Sequence, residues 1–388
     1  MMTPDLTQSQ SALELLQHLI SIPSVNPDIG GHQTFPPSIF GEQQIATSLK
    51  PFLEACGFAV TLEEVLPGRP NLIARAPGSN ERPRVLFGPH LDTVGVEHMV
   101  IPPFEPTISE GKLWGRGTSD TKGPMASMLW ALKENAEALA TAPVALDFVG
   151  FMGEETTQLG SKDFAQKYGT DYEFAIVGEP TNLRIVHCTK GSLWVELSAQ
   201  GRSAHASQPH LGENAIMKLY EGFAKLTPRL DQAFAEMQHP VLGKPTWNLG
   251  LFSGGTQPNV VADHAKLSLD IRTTPKLWQQ GGALQLVEQE LPEGELSITK
   301  SHENPPMEVS PEHPWIEKIQ SIHPSASCVG APWFSDAAHL NEAGLASICL
   351  GPGSIDQAHT EDEFILIEDF QQGVEFFTVL IEQFCHNS

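Results

Sequence analysis

Residues Pro143–Ser161 read PVALDFVGFMGEETTQLGS: an apolar run that stops, followed by two adjacent glutamates, Glu154 and Glu155. The run, Val144–Phe151, has the length and the β-branched and aromatic content of a buried strand. Neighbouring carboxylates repel each other and are disfavoured in apolar surroundings. Solvent, a basic partner or a metal ion must therefore make this strand end favourable.

Elements on either side alternate in the same manner. SALELLQHLISI repeats apolar residues on one helical face and stops before Pro23. A second helix from about Glu42 to Gly57 contains Pro51, which implies a kink or a late start. Strands are expected at Phe58–Val65, Asn71–Arg75, Arg84–Phe87 and Phe174–Val177, and helices at Thr121–Leu139 and Ser161–Tyr168. This alternation predicts an α/β sheet with helices on both faces.

The middle of the chain differs. Leu193–Ala199 (strand), Asn214–Leu226 (helix), Trp247–Phe252 and Val260–Arg272 (strands), Leu277–Leu291 (helix) and Leu296–Ser301 (strand) give the order β-α-β-β-α-β. That is the split βαβ order of a ferredoxin-like unit. It is inserted, because α/β elements resume with Ser347–Leu350 and the closing helix Asp369–Phe384. The expected division is residues 1–187 with 305–388 in one domain and 188–304 in the other. Two domains also suit a chain of 388 residues. Trp114, Trp130, Trp194 and Trp247 sit in apolar segments and are expected in the core.

The bulk properties narrow the partners. The net charge is −24, from 47 acidic and 23 basic residues, which argues against nucleic-acid phosphates and favours cations. No apolar run approaches the ~20 residues of a membrane-spanning helix, so no membrane partner is expected. The beginning, MMTPDLTQSQS, lacks a basic region followed by an apolar one. Cys56, Cys188, Cys328, Cys349 and Cys385 are odd in number and scattered, as expected of free thiols in the cytoplasm.

Five segments carry candidate chemistry: GPHLDTV with His90 and Asp92, GRGTSDTKGP with Asp120, MGEETT with Glu154 and Glu155, IVGEPT with Glu179, and GPGSIDQAHTEDEF with His359. Most of them follow expected strands, and ligands of open α/β sheets gather at the carboxyl ends of strands. Each motif alone is common; five in order at strand ends are not. Imidazole and carboxylate without thiolate suit zinc, cobalt or manganese. A dication turns carboxylate repulsion into attraction. GRG lacks the Lys-Ser/Thr of a phosphate loop, and GTSDT is not the elbow of a serine hydrolase.

With HLD, GRGTSDTKG, GEE, GEPT and QAH in this order, the chain resembles the dinuclear zinc amidohydrolases, a family of deacylases, desuccinylases, carboxypeptidases and dipeptidases. The resemblance runs from the first helix to Phe384. It implies a zinc-exopeptidase-like catalytic domain with a mixed sheet, and a ferredoxin-like lid that commonly serves in homodimerisation. It implies two divalent ions, probed as zinc with cobalt or manganese as alternatives. Asp120 bridges them in that scheme, with His90 and Glu179 completing one site and Glu155 and His359 the other. Asp92 would orient His90, and Glu154 would be the general base. In the lid, His205 in GRSAHASQP matches a histidine that reaches the partner subunit's site and stabilises the oxyanion. Asn259 and Arg272 match positions holding the substrate's α-carboxylate. The expected reaction is amide hydrolysis of an N-acyl amino acid. TWNLGLFSGG, LDIR and LGPGSIDQAHTEDEF favour N-acetylornithine, with N-succinyl-diaminopimelate or a short peptide as the alternative.

Overall fold

A computed structural model of the chain describes residues 3–29, 34–78 and 82–386. They form two compact units. One comprises the chain up to His187, Val309–Val329 and the chain from Ser335 onward; the other comprises Cys188–Glu308 and Gly330–Phe334. The short return at Gly330–Phe334 has no counterpart in the sequence reading.

In chain order the first unit begins with helices α1 (Ala12–Ile20) and α2 (Gln43–Ala55), then strands β1 (Ala59–Leu66), β2 (Arg69–Arg75), β3 (Arg84–Phe87), β4 (Thr107–Ser109) and β5 (Lys112–Trp114). Helices α3 (Lys122–Glu134) and α4 (Ala136–Leu139), strand β6 (Ala145–Gly150), helix α5 (Leu159–Tyr168) and strands β7 (Phe174–Val177) and β8 (Ile185–Thr189) follow. The second unit carries β9 (Gly191–Gln200), α6 (Ala215–Glu236), β10 (Thr246–Gly254), β11 (His264–Thr273), α7 (Pro275–Gln279), α8 (Gly282–Glu290), β12 (Ser297–Asn304) and β13 (Met307–Glu308). The chain closes with α9 (Pro314–Ile322), β14 (Cys328–Ala331), α10 (Ala337–Glu342), β15 (Ser347–Cys349), β16 (Phe364–Leu366) and α11 (Ile367–His386).

The main sheet of the first unit runs β1-β2-β6-β3-β7-β15-β8. The pairs β6–β3, β3–β7 and β7–β15 are parallel, whereas β1–β2, β2–β6 and β15–β8 are antiparallel. Every residue of β3, β6 and β7 is buried, so both sheet faces need cover. Helix α3 packs against α1 and α11, and α10 packs against α5, β7 and β15. Phe87 of β3 meets Phe377 of α11 edge-on, with ring centroids 5.4 Å apart. Sites at the carboxyl ends of β3, β6 and β7 thus stand on a rigid, doubly covered sheet.

The second unit is an antiparallel sheet of order β10-β11-β9-β12. Leu193, Val195 and Leu197 of β9 and Leu267, Leu269 and Ile271 of β11 alternate into a core with Leu219, Leu226 and Leu230 of α6 and Val287 of α8. This is the expected split βαβ order.

Several bounds differ from expectation for local reasons. The helix expected over Thr121–Leu139 is interrupted at Asn135, whose side-chain amide donates to the Ala131 carbonyl at 3.0 Å and competes with the backbone. Helix α6 continues past Leu226 through Pro228, because Leu230 and Phe234 keep its apolar face on the sheet. Helix α2 starts at Gln43 and runs through Pro51. The strand expected from Val260 begins at His264, and Val260 instead bridges His205. Gly281, at φ 108°, divides the helix expected over Leu277–Leu291. Trp194 is exposed rather than in the core, its indole N–H donating to Asp270 at 3.2 Å.

The opening stretch hides a further charge. Asp147, in the middle of β6, is fully buried. It accepts from Arg84 Nη1 at 2.8 and 3.0 Å, the Ala76 N–H at 2.7 Å, the Tyr172 hydroxyl at 3.0 Å and Arg75 at 3.3 Å. Asp147→Leu removes the carboxylate that Arg84, Arg75, Tyr172 and the Ala76 N–H share, and is expected to lower the unfolding free energy by about 3–5 kcal/mol. The shift in urea midpoint measures this; a loss under about 1 kcal/mol would mean that Arg84 is neutralised elsewhere.

Candidate metal centre

β3 delivers His90 three residues past its end, and the His90 side chain is buried. Its Nδ1 lies 2.9 Å from the Asp92 backbone carbonyl. A carbonyl only accepts, so Nδ1 carries the proton and Nε2 presents its lone pair in the neutral ring. Nε2 faces Asp120 Oδ1 at 3.0 Å. The Asp92 carboxylate stands farther from the ring, 3.5 Å from Nδ1. The backbone carbonyl is therefore the nearer of the two groups orienting His90, where the sequence reading expected the carboxylate.

The Asp92 carboxylate has a second engagement. Its Oδ1 accepts the Glu154 N–H at 3.1 Å, and its Oδ2 accepts the Glu155 N–H at 3.2 Å and the Asn26 amide at 2.7 Å. The peptide that carries the two glutamates is thus held by a carboxylate from the neighbouring strand end. Glu155 Oε1 accepts the Val94 N–H at 3.1 Å, and its Oε2 lies 3.0 Å from His359 Nε2. His359 Nε2 is also 3.4 Å from Asp120 Oδ2.

One donor atom from each of His90, Asp120 and Glu155 lies within 4.8 Å of the others, a group able to hold a metal ion. Glu179, two residues past β7, is buried, and its Oε1 has no hydrogen-bond partner among the described residues. A buried carboxylate oxygen without a donor is costly. Burial pushes the Glu154 and Glu179 carboxyls well above the usual range, and the surrounding carboxylates push them further. Glu155 moves the same way, by burial and then by Asp120. Burial disfavours a charged His90, yet Asp120 and Asp92 hold its imidazole well above the ordinary histidine value. Hydrogen bonding to Asp120, then to Glu155, raises His359 to about 10. The cluster thus calls for positive charge, from protons or from a cation. Oxygen and imidazole donors, an orphaned carboxylate oxygen and mutual repulsion fit a divalent ion.

The other expected residues belong to the second unit. His205 Nδ1 accepts the Ser207 N–H at 3.2 Å and stands 2.7 Å from the Ser207 hydroxyl. The Asn259 carbonyl accepts the Ala206 N–H at 3.0 Å, which brings His205 and Asn259 into one loop pair. Arg272 is engaged by Asp270, Nε to Oδ1 at 2.9 Å and Nη2 to Oδ2 at 3.0 Å.

Three residues of the centre carry no role in the sequence reading. Asn26 holds Asp92, as given above. Asp336 is fully buried and its Oδ1 accepts the Ser161 hydroxyl at 2.5 Å; burial first, and Asp92 among its neighbours, raise it to about 7. Glu363 is fully buried and accepts four N–H groups. It stands in the acidic run Glu361-Asp362-Glu363, where nothing local separates it from its exposed neighbours.

Comparison with known proteins agrees with this geometry. Residues 86–383 match the model of peptidase family M20/M25/M40. Acetylornithine deacetylase of Vibrio cholerae is 31% identical over 391 residues, covering 97% of this chain and 99% of that one. An M20 family metallo-carboxypeptidase from Sulfolobus solfataricus superposes with a TM-score of 0.78 at 18% identity, over 97% of this chain and 100% of that one. A dinuclear metal-binding peptidase of the M20 family from Bacillus subtilis does so with a TM-score of 0.63 at 13% identity, over 95% and 96%. A donor cluster at the strand ends, a family match through most of the sequence and a relative alike from end to end lead to one assignment: the chain belongs to peptidase family M20/M25/M40 and is a metal-dependent hydrolase.

Proposed function

We propose that this hydrolase cleaves the amide bond of an N-acyl amino acid with two divalent ions held by five side chains. Asp120 is shared, His90 and Glu179 complete one site, and Glu155 and His359 complete the other. The ions are zinc, with cobalt and manganese accepting the same donors. Bound there, they supply Lewis-acid polarisation of the carbonyl and acidify the attacking water.

Glu154 is the general base. It takes one proton from the water as the water oxygen bonds to the carbonyl carbon, and gives that proton to the nitrogen as the C–N bond breaks. The water's second proton also ends on the released nitrogen, so a carboxylate and an ammonium result. Two observations support this role. Burial and the neighbouring carboxylates raise the proton affinity of Glu154. The Asp92 hold on its N–H fixes the backbone from which it reaches. Asp92 also steadies His90 from 3.5 Å.

N-acetylornithine is the proposed substrate, hydrolysed to acetate and ornithine as a step of arginine biosynthesis. The likeness to the Vibrio cholerae acetylornithine deacetylase, at 31% identity over nearly both full lengths, is the observation that carries it. Arg272 and Asn259 bind the α-carboxylate; the fork of Arg272 suits a bidentate partner, and the substrate then competes with Asp270. His205 stabilises the oxyanion in the partner subunit of a homodimer formed through the second unit. Exposed Leu251 and Phe252 on the edge strand β10 and Met217 and Tyr220 on α6 offer that contact surface. A cytoplasmic location is proposed from the odd number and wide scatter of the five cysteines. No helix among the described residues is long and apolar enough to cross a membrane.

Two measurements test the proposal. Glu154→Gln should lower kcat by roughly 10²–10⁴-fold, while metal content by mass spectrometry stays near two ions per chain. Unchanged turnover removes Glu154 from the mechanism. In a panel of N-acetylornithine, N-acetylcitrulline, N-succinyl-diaminopimelate and dipeptides, kcat/KM should be highest for N-acetylornithine. A higher value for the succinyl compound or a dipeptide replaces the substrate and leaves the hydrolytic chemistry in place.

A further inference from the structure

We propose that Glu363 is a positioning residue for the metal centre, holding Asp120 through the backbone amides of its loop. The inference rests on the reading of Asp120 as the ligand shared by both ions. Glu363 Oε1 accepts the Ser119 N–H at 2.9 Å and the Asp120 N–H at 3.0 Å. Its Oε2 accepts the Gly117 N–H at 2.9 Å and Arg116 Nη1 at 2.8 Å. A carboxylate has about four acceptor positions, and all four are used, three of them by backbone N–H groups of one loop, at Gly117, Ser119 and Asp120.

The hold opposes a definite force. Asp120 sits against Glu155 and Glu179, whose charges repel it, while His90 and His359 attract it. With its own N–H pinned, Asp120 can answer that repulsion only by side-chain rotation. The loop has no slack elsewhere. Gly117 lies at φ 86°, and a Cβ there would stand 3.0 Å from Lys122 Cδ and 3.2 Å from Thr93 Cγ2. The segment that supplies Glu363 also supplies His359. It is fastened alongside the loop by the Ser119 hydroxyl on the Phe364 carbonyl at 2.8 Å, the Gly115 N–H on the Glu363 carbonyl at 3.1 Å and the pairing of Phe364 with Trp114. The segments of Asp120 and His359 are thus tied together by these contacts and by the Glu363 carboxylate.

A simpler role would be counter-ion to Arg116. The amide contacts of Oε1 do not involve Arg116, whose Nη2 has its own acceptors in the Gly95 and Thr360 carbonyls at 3.1 and 3.2 Å. The two roles separate by substitution. Glu363→Ala removes every contact, Glu363→Gln leaves one acceptor oxygen, and Arg116→Lys leaves the amide contacts intact.

The test uses the full chain, wild type and variants, loaded with cobalt and titrated against a chromophoric chelator. Cobalt visible absorption and turnover of N-acetylornithine are read in parallel. Metal affinity should fall about 10–100-fold in Glu363→Ala, less in Glu363→Gln and least in Arg116→Lys, with an altered cobalt spectrum and a kcat loss at unchanged KM. If Glu363→Ala does not fold, Glu363→Gln decides by the same readings. Wild-type affinity and spectrum in the folded Glu363 variant overturn the proposal, as does an equal loss in Arg116→Lys, which would make the ion pair the operative contact. Asp120→Asn serves as reference: should it retain wild-type affinity, the metal reading of the site fails, whatever Glu363 does.

Discussion

Five carboxylates, from Asp120, Glu154, Glu155, Glu179 and Asp336, are gathered beside two imidazoles at one end of the parallel strands of the first unit. Bringing them there is the constraint that the rest of that unit serves. Each ionised group taken out of water is expensive unless paired, and like charges at short range raise one another's proton affinity. The upward shifts of Glu154, Glu155, Glu179 and Asp336 express that cost. A doubly covered sheet can bear it, because β3, β6 and β7 are buried along their whole length and have little freedom to splay.

The backbone is restrained by other carboxylates. Asp92 accepts the consecutive N–H groups of Glu154 and Glu155, and Glu363 accepts those of Ser119 and Asp120. In each case an acidic side chain from a distant segment fixes the peptide that bears an acid of the cluster. Charge-assisted bonds of this kind are about twice as strong as neutral ones, and they leave the facing side chains free to meet a cation. The pair of glutamates that opens the sequence reading is thus stable locally because of Asp92. Its side chains are stable only with positive charge nearby.

The α/β alternation was legible because central strands buried on both faces read as continuous apolar runs, and the ferredoxin-like order because its strands alternate. Short elements were not. β4, β5 and β16 have three residues each, too few for a pattern, and exist through pairing with one another, whereas the equally short β15 was read at Ser347–Leu350. The break at Asn135 and the continuation through Pro228 were decided by one hydrogen bond and by packing, both invisible to periodicity. At the centre, His90 and Glu155 were visible as donors beside strand ends, and Asp120 as a donor just before a helix. Glu363 and Asn26 were not, and Asp336 carried no assigned role, because their importance lies in what long-range folding buries them against. Glu363 and Asp362 are adjacent acids, one fully buried and the other exposed.

Strand β6 shows how the chain treats buried negative charge in two ways within one short segment. Asp147, inside the strand, is neutralised permanently: Arg84 and Arg75 reach it, and a tyrosine and a backbone amide fill its remaining acceptor positions. Glu154 and Glu155, just past the strand, are given imidazole neighbours instead, and imidazole is the one cationic side chain that also serves as a neutral metal donor. A guanidinium at that place would satisfy the carboxylates as well as it satisfies Asp147, but it would also occupy the space and charge that an exchangeable ion needs. The chain has arginine available and uses it to stabilise the middle of the strand. Its use of histidine at the end, together with the orphaned oxygen of Glu179, is the arrangement expected where neutralisation is left to a bound dication.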